Sequence, residues 1–65
     1  MTYIFNPVAY SQLLAKYQPT VITTELENEQ ALAIAQYLQH RANRTLEEDT
    51  VLKLLVTLIE KFEDT

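Results

Sequence analysis

The chain has 65 residues, five Lys or Arg against nine Asp or Glu, a formal charge of −4 and no cysteine. That length allows one domain at most, and a domain this small buries only about 60% of its unfolded surface. Without cysteine, disulfides and thiolate metal sites are excluded, and the single His cannot build a zinc site alone, so helix packing or a partner chain must supply the missing stability. The acidic balance lacks the basic footprint that displaces counterions from phosphate, which argues against direct binding to DNA or RNA by these residues.

The N-terminal stretch MTYIFNP shows neither the basic region nor the long apolar run of a signal peptide. The longest apolar run, VLKLLVTLI, is interrupted by Lys53 and is too short to span a bilayer. The default location is therefore the cytoplasm. Tyr3, Ile4 and Phe5 form a short, apolar, β-prone arm. It cannot be a stable sheet alone, so it packs on the rest of the chain or is covered by a partner.

Three helices follow. Asn6-Pro7 is a strong helix start, with Asn as cap and Pro at the first position, where its missing N–H costs nothing. Val8, Tyr10, Leu13, Leu14 and Tyr17 recur at helical spacing, and Gln18-Pro19 closes the element, giving a helix over 7–17. After the β-branched connection 20–23, Thr24 and Glu27 form a capping box. Glu25, Glu27 and Glu29 suit the positive end of the helix dipole, and His40 and Arg41 the negative end. The apolar pattern Leu26, Ala31, Ala33, Ile34, Ala35, Tyr37 and Leu38 carries this second helix over 24–41. Thr45 and Glu48 form a second capping box, and the third helix runs from 46 to at least 63. Asp49 and Lys53 stand in the favourable i, i+4 order. The short connection 42–44 makes helices two and three an antiparallel hairpin, so the fold expected is all-α: three helices and an extended N-terminal arm in a single domain over 1–65.

The third helix is more apolar than one buried face requires. Val51, Leu55, Leu58 and Phe62 form one stripe, Leu52, Leu55, Ile59 and Phe62 a second, and Leu54 and Val56 widen the arc, whereas a surface helix normally shows an arc of roughly 100° or a little more. Glu60, Glu63 and Asp64 crowd its last turns, where the dipole disfavours negative charge, and no Gly, Asn or Pro closes it. Either the helix frays there or the natural product continues past Thr65.

Chemistry for catalysis is hard to find. Glu47-Glu48 lies in the first turn of a helix, where acids are ordinary structural residues, and His40 reads as an exposed helix-end residue. No Ser has an evident base partner, and a chain without Gly has no phosphate-cradling loop. No catalytic, cofactor-binding or metal-ligating residue is assigned. Tyr3, Tyr10, Tyr17 and Tyr37 could anchor an interface, since Tyr is enriched in hot spots, or simply edge the core with the hydroxyl in water.

The order of features carries a resemblance. Asn6-Pro7-x-x-Tyr10-x-x-Leu13-Leu14 leads into Pro19-x-Val21-Ile22-x-Thr24-Glu25. Glu27-Asn28-Glu29-x-Ala31-Leu32 follows, then Thr45-x-Glu47-Glu48-Asp49, and then Leu54-Leu55-Val56-x-Leu58-Ile59-Glu60-x-Phe62-Glu63. Nearly the whole chain resembles the N-terminal helical region of HigA-type antitoxins, transcription regulators with a downstream helix-turn-helix. The resemblance implies that this region contacts and neutralises a small basic RelE-like messenger-RNA interferase toxin. The helix-turn-helix is absent from these 65 residues, so DNA binding and autoregulation do not carry over.

On this reading the partner-binding candidates are the aromatics Tyr3, Phe5, Tyr10 and Tyr17, the acids Glu47, Glu48 and Asp49, and the spare face Leu54, Leu58 and Phe62. Electrostatic steering by the acids would speed the encounter with a basic toxin. The alternative is a self-associating structural module, a homodimeric bundle built on the extra apolar face of the third helix.

Overall fold

The computed structural model describes residues 5–64 and forms α1 (Pro7–Tyr17), α2 (Glu25–Gln39) and α3 (Leu46–Glu63), with no strand among the described residues. Tyr3 and Ile4 of the expected arm lie outside the described residues. The all-α expectation and the bounds of α1 and α3 agree with what is observed.

Local chemistry explains each helix start. Asn6 is extended, and its Oδ1 accepts from the amides of Val8 at 3.0 Å and Ala9 at 3.2 Å, with Pro7 at the first helical position. Both capping boxes form. Thr24 Oγ1 accepts from the Glu27 amide and Thr45 Oγ1 from the Glu48 amide, each at 3.1 Å, while each Glu returns a carboxylate oxygen to the cap amide.

The helix ends depend on more than local sequence. At the end of α1, Gln18 takes the left-handed conformation (φ 47°, ψ 57°) and its amide donates to Leu14 O at 2.7 Å. Pro19 bars Gln18 from the right-handed helical region, so a non-glycine residue makes a turn that usually calls for Gly. α2 is shorter than the expected 24–41. Thr24 stands outside as the cap, and the helix stops at Gln39 with His40 as its C-cap. Arg44 supplies the reason: its Nη1 donates to the carbonyls of Leu38 at 3.2 Å and Gln39 at 2.9 Å, satisfying acceptors that the next helical turn would otherwise take.

α3 is the central element, packed against both α2 and α1. Leu38 and Val51 are fully buried, with Ile22, Ala31, Ala35, Leu52, Leu55 and Ile59 around them. α1 contributes no fully buried residue. Tyr10, Leu13 and Tyr17 lean on the core half-buried. The width of the apolar arc on α3 follows from this layout, because a helix with neighbours on two sides needs two buried faces. The surplus is thus largely used within the chain.

Candidate protein-interaction surface

The three acids expected to steer a partner are occupied by the fold. Glu47 is buried, and its Oε2 accepts from the Asn6 amide at 3.0 Å, clamping the start of α1 to the first turn of α3. Glu48 is buried, closes its capping box and pairs with Arg41 Nε at 3.1 Å. Asp49 sits between Arg44 Nε at 3.5 Å and Lys53 Nζ at 3.2 Å. Two of the three carboxylates, Glu48 and Asp49, therefore pair with the three cations Arg41, Arg44 and Lys53, while Glu47 is held by a backbone amide, and the three charges of each sign balance at the loop end of the hairpin. Reversing their charges would disturb caps and helix docking before it tested steering.

The aromatic and aliphatic candidates are divided among different places. Tyr3 lies outside the described residues. Phe5 is partly exposed and tilts against Tyr10 with ring centroids 5.2 Å apart. Tyr10 and Tyr17 seat α1 on the core, and Lys16 Nζ lies 5.3 Å from the centre of the Tyr17 ring. Leu54, Leu58 and Phe62 are half-buried, and Leu58 and Phe62 pack against the core cluster. The nine candidates among the described residues are spread over the start and body of α1, the first turn of α3 and its later turns.

The hairpin instead gathers a different set. Arg41 meets Glu48 at the loop end, and Ala31 and Leu55 line one crevice farther along, so α2 and α3 run antiparallel. The first turns of α2 consequently lie beside the last turns of α3. Glu25, Glu27 and Glu29 join Glu60, Glu63 and Asp64 at this open end, where Lys61 is the cation on the same turns. All of these acids are exposed except the half-buried Glu27. Two large apolar side chains are exposed at the same end, Val21 at 67% and Leu26 at 64%. Between the helices, Asn28 is buried and its Oδ1 has no hydrogen-bond partner.

Two groups here are electrostatically tuned. Glu27 Oε1 accepts from Thr23 Oγ1 at 2.7 Å, the Thr23 amide at 2.9 Å and the Thr24 amide at 3.1 Å, bonds that hold its carboxyl below the ordinary glutamate range. At the other end, Arg41 Nη1 donates to the Tyr37 hydroxyl at 3.2 Å, and this bond, followed by the charge of Glu48, raises the guanidinium pKa further. His40 Nδ1 donates to Gln36 O at 2.7 Å, and the ring is exposed at the helix end as its position in the sequence implied.

The sequence held signals for the acidic pole: α2 carries acids in its first turns and α3 in its last, and a hairpin brings those turns together. Among the described residues no three His, Asp or Glu side chains form a metal-holding group, and no helix is long and apolar enough to cross a membrane. No known protein family, curated protein or solved structure matches this chain.

Proposed function

We propose that this chain is a non-catalytic binding module that captures a basic protein through the open end of its hairpin. The antitoxin-like sequence makes a small basic RelE-like messenger-RNA interferase the partner class, and such a partner places the chain in the cytoplasm. The observation that supports this reading is the segregation of charge. The loop end is neutral by internal pairing, whereas six carboxylates share the open end with Lys61, beside exposed Val21 and Leu26. α3 is about 27 Å long at 1.5 Å per residue, more than two Debye lengths at physiological salt, so a partner meets the open end as a separate negative field. A ribonuclease must be basic to hold RNA. An acidic pole with apolar anchors can steer such a protein in and then cover the surface that RNA would use.

The test is a tagged pull-down from extract of the source organism at low and at moderate salt, run with the natural chain and with a Glu29→Gln, Glu60→Gln, Glu63→Gln variant. The expected result is one small basic ribonuclease that is released as salt rises, binds the variant more weakly, and loses RNA cleavage in the presence of the natural chain. Capture that ignores both salt and the three substitutions, or a captured protein without ribonuclease activity, would overturn the reading.

A further inference from the structure

We infer that the crevice where α1, α2 and α3 meet is a socket for one lysine side chain of the basic protein partner. This deepens the proposed function and rests on it, because it names the group that such a partner inserts. The crevice is graded from floor to mouth. Ile22, Ala31 and Leu55 are buried and make its floor. Tyr17, Ile34 and Glu27 are half-buried around that floor, and Gln30 is exposed at the mouth. Ile22 follows the exposed Val21, so the socket opens beside the acidic pole. Its volume is about 120 Å³, a little under the roughly 150 Å³ of an apolar cavity that holds benzene. That is room for the tip of one side chain and too little for a folded element. One corner is preformed, since Pro19 has a fixed φ and the Gln18 amide before it donates to Leu14 O at 2.7 Å. A preformed site binds without the cost of ordering it.

Charge selects the occupant. Glu27 is the charged group of the lining, and among the described residues no Lys or Arg lines the crevice. Lys16 is not part of the lining, although its Nζ lies 5.3 Å from the centre of the Tyr17 ring. The bonds from Thr23 and Thr24 keep the Glu27 carboxyl ionised at neutral pH. All of them end on Oε1, and Oε2 accepts none among the described residues. A half-buried carboxylate with one free oxygen calls for a cation. The same geometry separates lysine from arginine. A guanidinium is held best by both oxygens of a carboxylate at once, and here one of the two is already engaged. An ammonium is a point charge that needs a single oxygen, and its four-carbon stem lies well along apolar walls such as Tyr17, Ile34 and the floor. The Tyr17 ring also offers a face of the kind that attracts an ammonium, as that of Lys16 shows.

Butylammonium reproduces the tip of lysine, so it is titrated into the natural chain and followed through the amide resonances. The expected result is a saturable shift at Ala31, Ile34 and Leu55, with propylguanidinium binding more weakly. Butanol, which has the stem without the charge, is expected to bind at least about tenfold more weakly, the lower end of what a charge-assisted bond contributes. Gln30→Phe fills the mouth without changing the charge. Because Gln30 is exposed, the helical circular dichroism is expected to stay the same while the butylammonium shifts disappear. Capture of the basic protein is expected to weaken with its salt dependence unchanged. Shifts confined to Glu60, Glu63 and Asp64, equal binding of butanol or propylguanidinium, or butylammonium shifts that survive Gln30→Phe would each overturn the inference. The probe is read on the free chain, so the two readings fail separately. No saturable shift alongside salt-sensitive capture overturns the socket and leaves the acidic pole standing. Butylammonium binding without capture of any basic protein overturns the proposed function, and with it the source of the lysine.

Discussion

Glu27 ties four donors from two residues to one carboxylate oxygen, and those bonds exist for the charged form. Its folded-state pKa is therefore depressed. A depressed carboxylate contributes stability that is fully present above its unfolded-state pKa and is lost as pH falls through the lower folded value. Glu27→Gln is expected to lower the melting temperature at neutral pH, with the gap to the natural chain closing as pH drops below the ordinary glutamate value. Thermal melts across that range check it, and a gap that stays constant with pH would refute it. Asn28 makes the opposite case. Its buried Oδ1 lacks a partner, and an unpaired buried polar group costs about 1–3 kcal/mol. Asn28→Leu is expected to stabilise the chain by about 1 kcal/mol in urea titrations, while Asn28→Asp, which buries a charge, destabilises it. The periodicity of α2 reads Leu26 into the apolar pattern and passes over Asn28, yet Leu26 is exposed and Asn28 buried. Stepping back from Ala31 and Ala35 by three and seven residues lands on Asn28. The arc that faces α3 follows packing geometry, and hydrophobicity alone misassigns its first turn.

α1 is the element least committed to the fold. It has no fully buried residue, and it is held by half-buried Tyr10, Leu13 and Tyr17 and by the bond from the Asn6 amide to Glu47. Glu47→Ala removes that anchor and leaves a backbone amide without its acceptor, at a cost of about 1–3 kcal/mol. The loss falls first on α1. Hydrogen exchange is expected to show α1 amides opening faster in the variant while those in the middle of α2 keep their protection, as for a unit that opens separately. Equal acceleration in both helices would mean that the three helices open as one unit. The starts of all three elements could be read from the sequence because Asn6, Thr24 and Thr45 cap through bonds spanning three residues or fewer. The end of α2 could not, since it depends on Arg44 reaching back to the carbonyls of Leu38 and Gln39 across the connection. The same holds for the candidate surface. The Glu48 capping box and the Asp49–Lys53 pair are legible in the sequence, but only tertiary structure sets Glu47 against the Asn6 amide, Glu48 against Arg41 and Asp49 against Arg44.

At the scale of the whole molecule, charge is the largest departure from what stability alone would favour. Acids in the first turns of α2 are favourable to its dipole, but Glu60, Glu63 and Asp64 oppose the dipole of α3 and also repel the acids of α2 beside them. Neither effect is offset by Lys61 alone. Such an arrangement lowers stability and increases the field that a basic partner would feel, a trade expected where binding depends on the misplaced charge. Glu63→Lys is therefore expected to stabilise the folded chain by about 0.3–1 kcal/mol at low ionic strength, the usual size of a helix-end charge effect. Because the site is exposed, the gain should shrink in about 1 M salt, where the Debye length falls to about 3 Å. The natural chain should itself gain stability as salt is added, and the variant less so. Urea titrations of both chains at low and high salt separate these terms. If Glu63→Lys destabilises the chain at low salt, the terminal acids are making favourable interactions within the fold, and the pole is then part of the structure instead of a surface held open for a partner.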